Sequence, residues 1–180
     1  MEVTFRKTGE RRYAVVVQAE GKGPHTVDPA PGFDPHIPHD LVHYVVEAEL
    51  SLAGGVYGRA ASGAGTFYSA GATPGGQTPR ERARERRKQS RREQQLRRDE
   101  QAEQEMQLSE RLAGVCDVLW RRRRGQRPDA TRAAPQLTLS AAEQERALRV
   151  VDRLDQLAPR WSELPLGGEL TFVWPSLVPR

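Results

Sequence analysis

Three of the four histidines of this 180-residue chain, His36, His39 and His43, fall within eight positions of the stretch PHIPHDLVHYVVEAEL (35–50), and Glu47 follows them. His39, His43 and Glu47 are each one helical turn apart, so on a helix their side chains fan across about 80° of one face. Imidazoles at this spacing can enter one coordination sphere and chelate Zn²⁺ or a similar divalent ion, with His36 as a further ligand from the preceding loop. Asp40, next to the first histidine, would be the general base on a metal-bound water if such a site hydrolysed a substrate. The opposite side of the same helix is apolar, with Leu41, Val42, Val45 and Val46. A plainer reading therefore stands beside the metal site. His39, Asp40, His43 and Glu47 are then the solvated face of an amphipathic helix, and Asp40 favours its N-terminal dipole.

The five residues HDLVH (39–43) resemble the HExxH helix of zinc metallopeptidases. That resemblance implies His39 and His43 as ligands and puts Asp40 in the place of the family's glutamate base, one methylene shorter. The same residues resemble the HDxxH motif of the ubiquinone-biosynthesis scaffold proteins. Those carry a glutamate twelve residues past the second histidine, where this chain has Gly55. Over roughly the first 70 residues, DPAPGFDPHIPHDLVHYVVEAEL followed by GVYGRAASGAGTF is similar to uncharacterised proteins of high-GC, actinobacterial-like bacteria, a resemblance that implies no activity.

Other nucleophile and phosphate motifs are excluded by their own residues. GRAASGAGT (58–66) has the glycine spacing of a phosphate loop but Ala64 and Gly65 where lysine and a hydroxyl are required, and no G-x-S-x-G elbow occurs. Cys116 lies among Leu112, Val115 and Leu119 and is expected to be a small buried hydrophobe. The basic residues are a separate matter. Residues 80–98 hold ten basic against three acidic groups, and 121–124 is RRRR. Arg84, Arg87, Lys88, Arg91, Arg121, Arg122, Arg123 and Arg124 are the candidates for contacts to the phosphates of a nucleic acid. The charges are expected to surround their helix, without aromatic residues between them for base stacking, which makes a solvated, ion-paired helix the simpler expectation.

These residues must be positioned by a modest core. Apolar residues make up 37% of the chain, below the usual ~45–50%, so part of the sequence buries little. EVTFRKTGERRYAVVVQAE predicts a β-hairpin, with Val3 and Phe5 alternating against Tyr13, Val15 and Val17 and Thr8-Gly9 as the turn. Residues 20–37 read as a loop, and a helix is expected from near Pro38 to about Leu52, before Gly54-Gly55. The Gly-rich residues that follow read as a loop running into a linker at 71–78. Thr78, Pro79 and Glu81 then have the N-cap, N1 and N3 chemistry of a helix start, and a single helix is expected over 79–124. Its first half is polar on every face, and its second half carries Leu108, Leu112, Val115, Val118 and Leu119 for packing on the core. After a loop at 125–139, Ser140 and Glu143 form a capping box for a helix ending before Pro159, and Leu170, Phe172 and Trp174 alternate in a last strand.

The expected fold class is α+β. A small antiparallel sheet, the hairpin plus the C-terminal strand, packs with two or three helices, and the long charged helix projects. Residues 1–70 form the module with the HDxxH helix, and 140–180 complete its core. No stretch approaches the ~20 apolar residues of a membrane span, the N-terminus lacks a secretory h-region, and one cysteine cannot form an internal disulfide, so a cytoplasmic protein is expected. The net charge of +4 is localised: residues 1–77 carry −2, 78–125 carry +6 and 126–180 are neutral. Three function classes are compatible with this pattern. The first, and the one that asks least of short motifs, is a small interaction or regulatory protein with a protein partner and a charged helical arm. The second is a metal-binding protein or metal-dependent hydrolase using His39 and His43. The third is a nucleic-acid-binding protein that uses the basic helix.

Overall fold

The computed structural model describes residues 1–19, 23–64, 79–126 and 139–180. The expected linker at 71–78, the Thr78 cap and most of the 125–139 loop lie outside these residues. Alternation at period two produces the sheet. Strands β1 (Glu2–Gly9), β2 (Arg12–Gln18), β3 (His25–Val27) and β4 (Glu169–Val173) pair antiparallel in the order β3-β2-β1-β4. The C-terminal strand lies beside the N-terminal hairpin, as expected, with Val3 opposite Phe172 and Phe5 opposite Leu170. On the other side of β1, Val3 faces Val17 and Phe5 faces Val15. Each of these six side chains is buried, so one face of the sheet is apolar; Thr4 and Thr171 pair hydroxyl to hydroxyl at 2.9 Å on the other. Two local readings change. The hairpin turns at Glu10–Arg11, because Gly9 still pairs with Arg12, and β3 is a strand within the expected 20–37 loop.

Among the described residues there are five helices, α1 (His39–Leu50), α2 (Val56–Ala61), α3 (Pro79–Arg98), α4 (Glu100–Arg123) and α5 (Ala141–Ser162), and all but α3 contribute to the core on the apolar face of the sheet. The fold is α+β. Helix α1 lies in the middle and packs on α2, α4 and α5, and every residue from Leu41 to Glu47 is buried. The Gly-rich stretch after Leu52 is not simply loop, since Val56–Ala61 is helical and its Tyr57 is fully buried. Tyr57 joins Phe5, Tyr44, Phe172 and Trp174 in one aromatic cluster that ties α1 and α2 to the sheet, with ring centroids 4.9–6.2 Å apart.

The helix expected over 79–124 is two helices. Asp99 leaves the helical conformation (φ −83°, ψ 101°) and its carboxylate accepts from the N–H groups of Gln101 and Ala102, capping α4. An aspartate that can satisfy orphan amides stabilises a fresh helix start at about 0.5–2 kcal/mol, and none of the described side chains of the polar α3 is buried to hold it in line with α4. Leu112, Val115, Val118 and Cys116 of α4 pack into the core, as their stripe predicts. Burial, then the neighbouring Asp117, pushes the Cys116 thiol up to about 12. Helix α5 has the predicted capping box at Ser140 and Glu143, but it runs through Pro159 to Ser162. Trp161, fully buried edge-on to Tyr13 with its Nε1 donating to the Asp34 carbonyl at 3.2 Å, holds that last turn in place.

Candidate functional site

The HDLVH helix brings two of its four predicted metal-site residues directly together. His39 and His43 lie edge to face, with their Nε2 atoms 3.2 Å apart. His36 is exposed in the loop ahead of Pro38, where its backbone N–H donates to Asp34 Oδ1 at 2.8 Å. Asp40 Oδ2 lies 2.6 Å from the hydroxyl of Tyr13 in β2, a hydroxyl that also contacts the Pro31 carbonyl. Among the described residues, no three histidine, cysteine, aspartate or glutamate side chains are already gathered closely enough to hold a metal ion.

Glu47 departs furthest from expectation. It lies on what reads as the polar face of α1, yet that face packs on α4 and Glu47 is fully buried. Its carboxylate serves as the N-terminal cap of a neighbouring helix. Oε1 accepts from Val56 N–H at 2.8 Å, and Oε2 from Tyr57 N–H at 2.8 Å and Gly58 N–H at 3.4 Å. An anion at a helix N-terminus satisfies orphan amides and favours the dipole. The close approach requires a glycine. A Cβ on Gly55 would stand 2.2 Å from the Glu47 carboxyl carbon, and one on Gly54 would stand 2.4 Å from the Ala102 carbonyl oxygen of α4. Arg59, also buried, closes the other side of this turn by donating to the Gly54 and Ala102 carbonyls at 2.6 and 3.1 Å.

Ser109 of α4 completes the arrangement. Its hydroxyl donates to Glu47 Oε1 at 2.8 Å, and its oxygen lies 3.2 Å from His43 Nδ1. With the serine proton directed to Glu47, the oxygen accepts from Nδ1–H of His43, and His43 Nε2 is left with a lone pair. A continuous chain thus runs from His39 through His43 and Ser109 to Glu47. It is not a nucleophilic triad: the serine proton goes to the carboxylate rather than to imidazole, and Ser109 and Glu47 are wholly buried. Sequence reasoning missed Ser109 and its neighbour Glu110, whose Oε2 lies 3.6 Å from His43 Nε2. The available signal was a single hydroxyl residue among the apolar positions of the α4 stripe, a place where a polar group must find a partner.

Burial pushes the Glu47 carboxyl up to about 7, against hydrogen bonds from Ser109, Tyr57, Val56 and Gly58 that draw it down. A carboxyl whose pKa rises on folding binds its proton more tightly folded than unfolded. Its stabilising contribution is therefore full below the ordinary value of 4.5 and is withdrawn as pH climbs through about 7. Denaturant titrations at intervals from about pH 4 to about pH 8 should show wild type losing up to roughly 3 kcal/mol by this route, with Glu47→Gln flatter over the same window. Parallel profiles for the two proteins would show that Glu47 keeps an ordinary pKa.

The second candidate surface is basic. Every α3 side chain that is described is exposed, and α3 packs substantially on no described element except α4. Arg80, Arg84, Arg87, Lys88 and Arg91, with Ala83 and Gln95, lie along a single exposed face. Among the described residues none of these five cations has an ion pair. The RRRR run is different. Arg121 is buried, bonded through Nε to both Asp117 oxygens at 3.0 and 3.1 Å and through Nη2 to Asp34 Oδ2 at 2.9 Å. Burial opposes its charge, but Asp117 and Asp34 outweigh burial and raise its pKa. Arg123 bridges Asp152 and Asp155 of α5 at 2.6 and 3.1 Å, and Arg124 reaches Asp155 at 3.5 Å. Arg121 is therefore withdrawn from the expected phosphate contacts, Arg123 and Arg124 pin α4 to α5, and Arg122 is left exposed.

No protein-family model matches this chain, and no match is found among curated proteins or solved structures. Function must therefore be argued from the two sites themselves.

Proposed function

We propose that this is a cytoplasmic interaction protein whose helix α3 docks on the phosphate backbone of nucleic acid. The observation behind this reading is the exposed file of Arg80, Arg84, Arg87, Lys88 and Arg91, which lines one face without an ion pair among the described residues. Positions 80 to 91 span about 16 Å of helix, so the cations repeat at intervals suited to successive phosphates. The described residues of this face include no aromatic or large aliphatic side chain of the kind that anchors a protein interface. Contact through charge alone gives binding that is strong at low salt and indifferent to base sequence. The compact α+β body leaves α3 free for this role, and the single buried cysteine suits a reducing compartment.

Fluorescence anisotropy on two duplexes of unrelated sequence tests this reading. Both should bind with similar affinity, and log K should fall with log salt at a slope near −4 to −5, about −0.9 for each phosphate neutralised. Changing Arg84, Arg87 or Arg91 to glutamine should each reduce the slope by about one. Failure to bind at about 50 mM salt, or a slope unaltered by these substitutions, would remove nucleic acid as the partner. Binding to polyglutamate but to neither duplex would assign the face to an acidic protein.

A further inference from the structure

We propose that His39 and His43 of α1, together with Glu110 of α4, form a binding site for a divalent transition-metal ion of the zinc class. The site is independent of the basic face of α3. The two imidazole Nε2 atoms stand 3.2 Å apart. That is close to the edge of a tetrahedral zinc site, about 3.3 Å when each ligand lies about 2.05 Å from the metal. Glu110 Oε2 lies 3.6 Å from His43 Nε2, wider than that edge, so this exposed side chain must swing inward to join the two histidines.

The hydrogen bonding behind His43 favours this use. A metal-bound histidine commonly donates its other ring N–H to an oxygen acceptor, which fixes the tautomer and aims the lone pair. Here Ser109 Oγ takes Nδ1–H at 3.2 Å, and its own proton is directed to Glu47 Oε1 at 2.8 Å. His43 Nε2 therefore presents a lone pair toward His39 and Glu110. The chain His43–Ser109–Glu47 is a support fully inside the protein, with His43 itself 5% exposed. His39 is half-buried and the Glu110 side chain is 60% exposed, so the ligand side faces solvent and an ion has an entry path.

The site is not a closed cage. Two nitrogen donors are already paired, the third ligand is a carboxylate on an exposed side chain that is free to rotate, and water completes the sphere. That composition suits zinc, cobalt or nickel and is poor in the oxygen ligands that calcium and magnesium require. The exchange on binding is simple. The imidazole–imidazole hydrogen bond opens, His39 carries its proton on Nδ1, and both Nε2 lone pairs go to the metal.

The test uses the full chain without an affinity tag, stripped with chelator and titrated with Zn²⁺ by calorimetry and with Co²⁺ by visible absorption. One ion should bind per chain, and Co²⁺ should give the intense d–d bands of a four-coordinate site. His39→Ala and His43→Ala should each abolish this uptake. Glu110→Gln, on an exposed side chain that leaves the core intact, should weaken it by about ten-fold. His36→Ala should leave it unchanged. Because His43→Ala removes a buried group and could unfold the chain, His39→Ala and Glu110→Gln carry the decision, with melting of the metal-free proteins as the folding control. Absence of 1:1 uptake by wild type, or uptake that survives His39→Ala with the same cobalt spectrum, overturns the site.

Discussion

Replacing Glu47 by alanine is expected to destabilise the protein by about 3–5 kcal/mol, a large fraction of the stability of a domain this size. The reason lies in the neighbours the substitution would strand. Tyr57 and Gly58 would each present a buried backbone N–H, and Val56 a half-buried one, with no acceptor, and Ser109 would lose the oxygen that receives its proton. Each buried donor left unsatisfied costs about 1–3 kcal/mol, and the void left by the side chain adds to that, while relief of carboxylate burial offsets only part. Gly55→Ala should act through the same contact from the other side, since its Cβ would displace the carboxylate from the amides it caps. Glu47→Gln keeps the shape but sets an NH₂ against N–H donors, and should fall between alanine and wild type. Urea unfolding at neutral pH measures all three. A loss below about 1 kcal/mol for Glu47→Ala would mean that α2 does not depend on this cap.

Arg121→Ala should be comparably damaging, at about 3–5 kcal/mol, whereas Arg123→Ala should cost under about 1 kcal/mol. Both arginines belong to the same RRRR run and both meet carboxylates. The difference is solvent. Arg121, Asp117 and Asp34 have side-chain exposures of 6, 5 and 16%, so removing the guanidinium takes the cation away from two largely buried carboxylates. Arg123 is 39% exposed and its partners are 62 and 31% exposed, so water replaces the lost contacts. Asp34 also accepts from His36 and Ile37 N–H groups, and its carbonyl receives Trp161, so loosening Arg121 should disturb the entry to α1 as well. Equal losses for the two variants, read from denaturant midpoints at matched slope, would refute the assignment of Arg121 to the core.

Much of the architecture could be read from periodicity. Val3, Phe5, Tyr13, Val15, Val17, Leu170 and Phe172 alternate in the chain and form one buried face of one sheet. The Ser140–Glu143 capping box and the apolar stripe of α4 are likewise local patterns with local causes. Each depends on residues a few positions apart, and such signals survive whatever the rest of the chain does. The sites were less legible. Placing Glu47 with the histidines on a solvated face assumed that α1 has one packed side. Glu49, two positions on, pairs with Arg149 and Arg153 of α5 at 3.3 and 3.5 Å, partners a hundred or more positions away in the chain.

What the sequence determined by itself was the hairpin and last strand, the main helices apart from α2 and the break at Asp99, the pairing of HDLVH on one helical face, the basic character of 79–98 and the α+β class. The tertiary structure decided the environment of each charged group. A helix surrounded by other elements has little solvent face, so the buried polar residues of α1 must satisfy one another and the ends of neighbouring helices. Glu47 therefore caps α2, Ser109 joins two elements sixty-odd positions apart in sequence, and Arg121 becomes a core residue while Arg84 and Arg91 stay in water. Spacing along the chain determines which side chains share a face. Whether that face meets water or protein depends on contacts between distant segments, and that environment sets the energy of every buried charge.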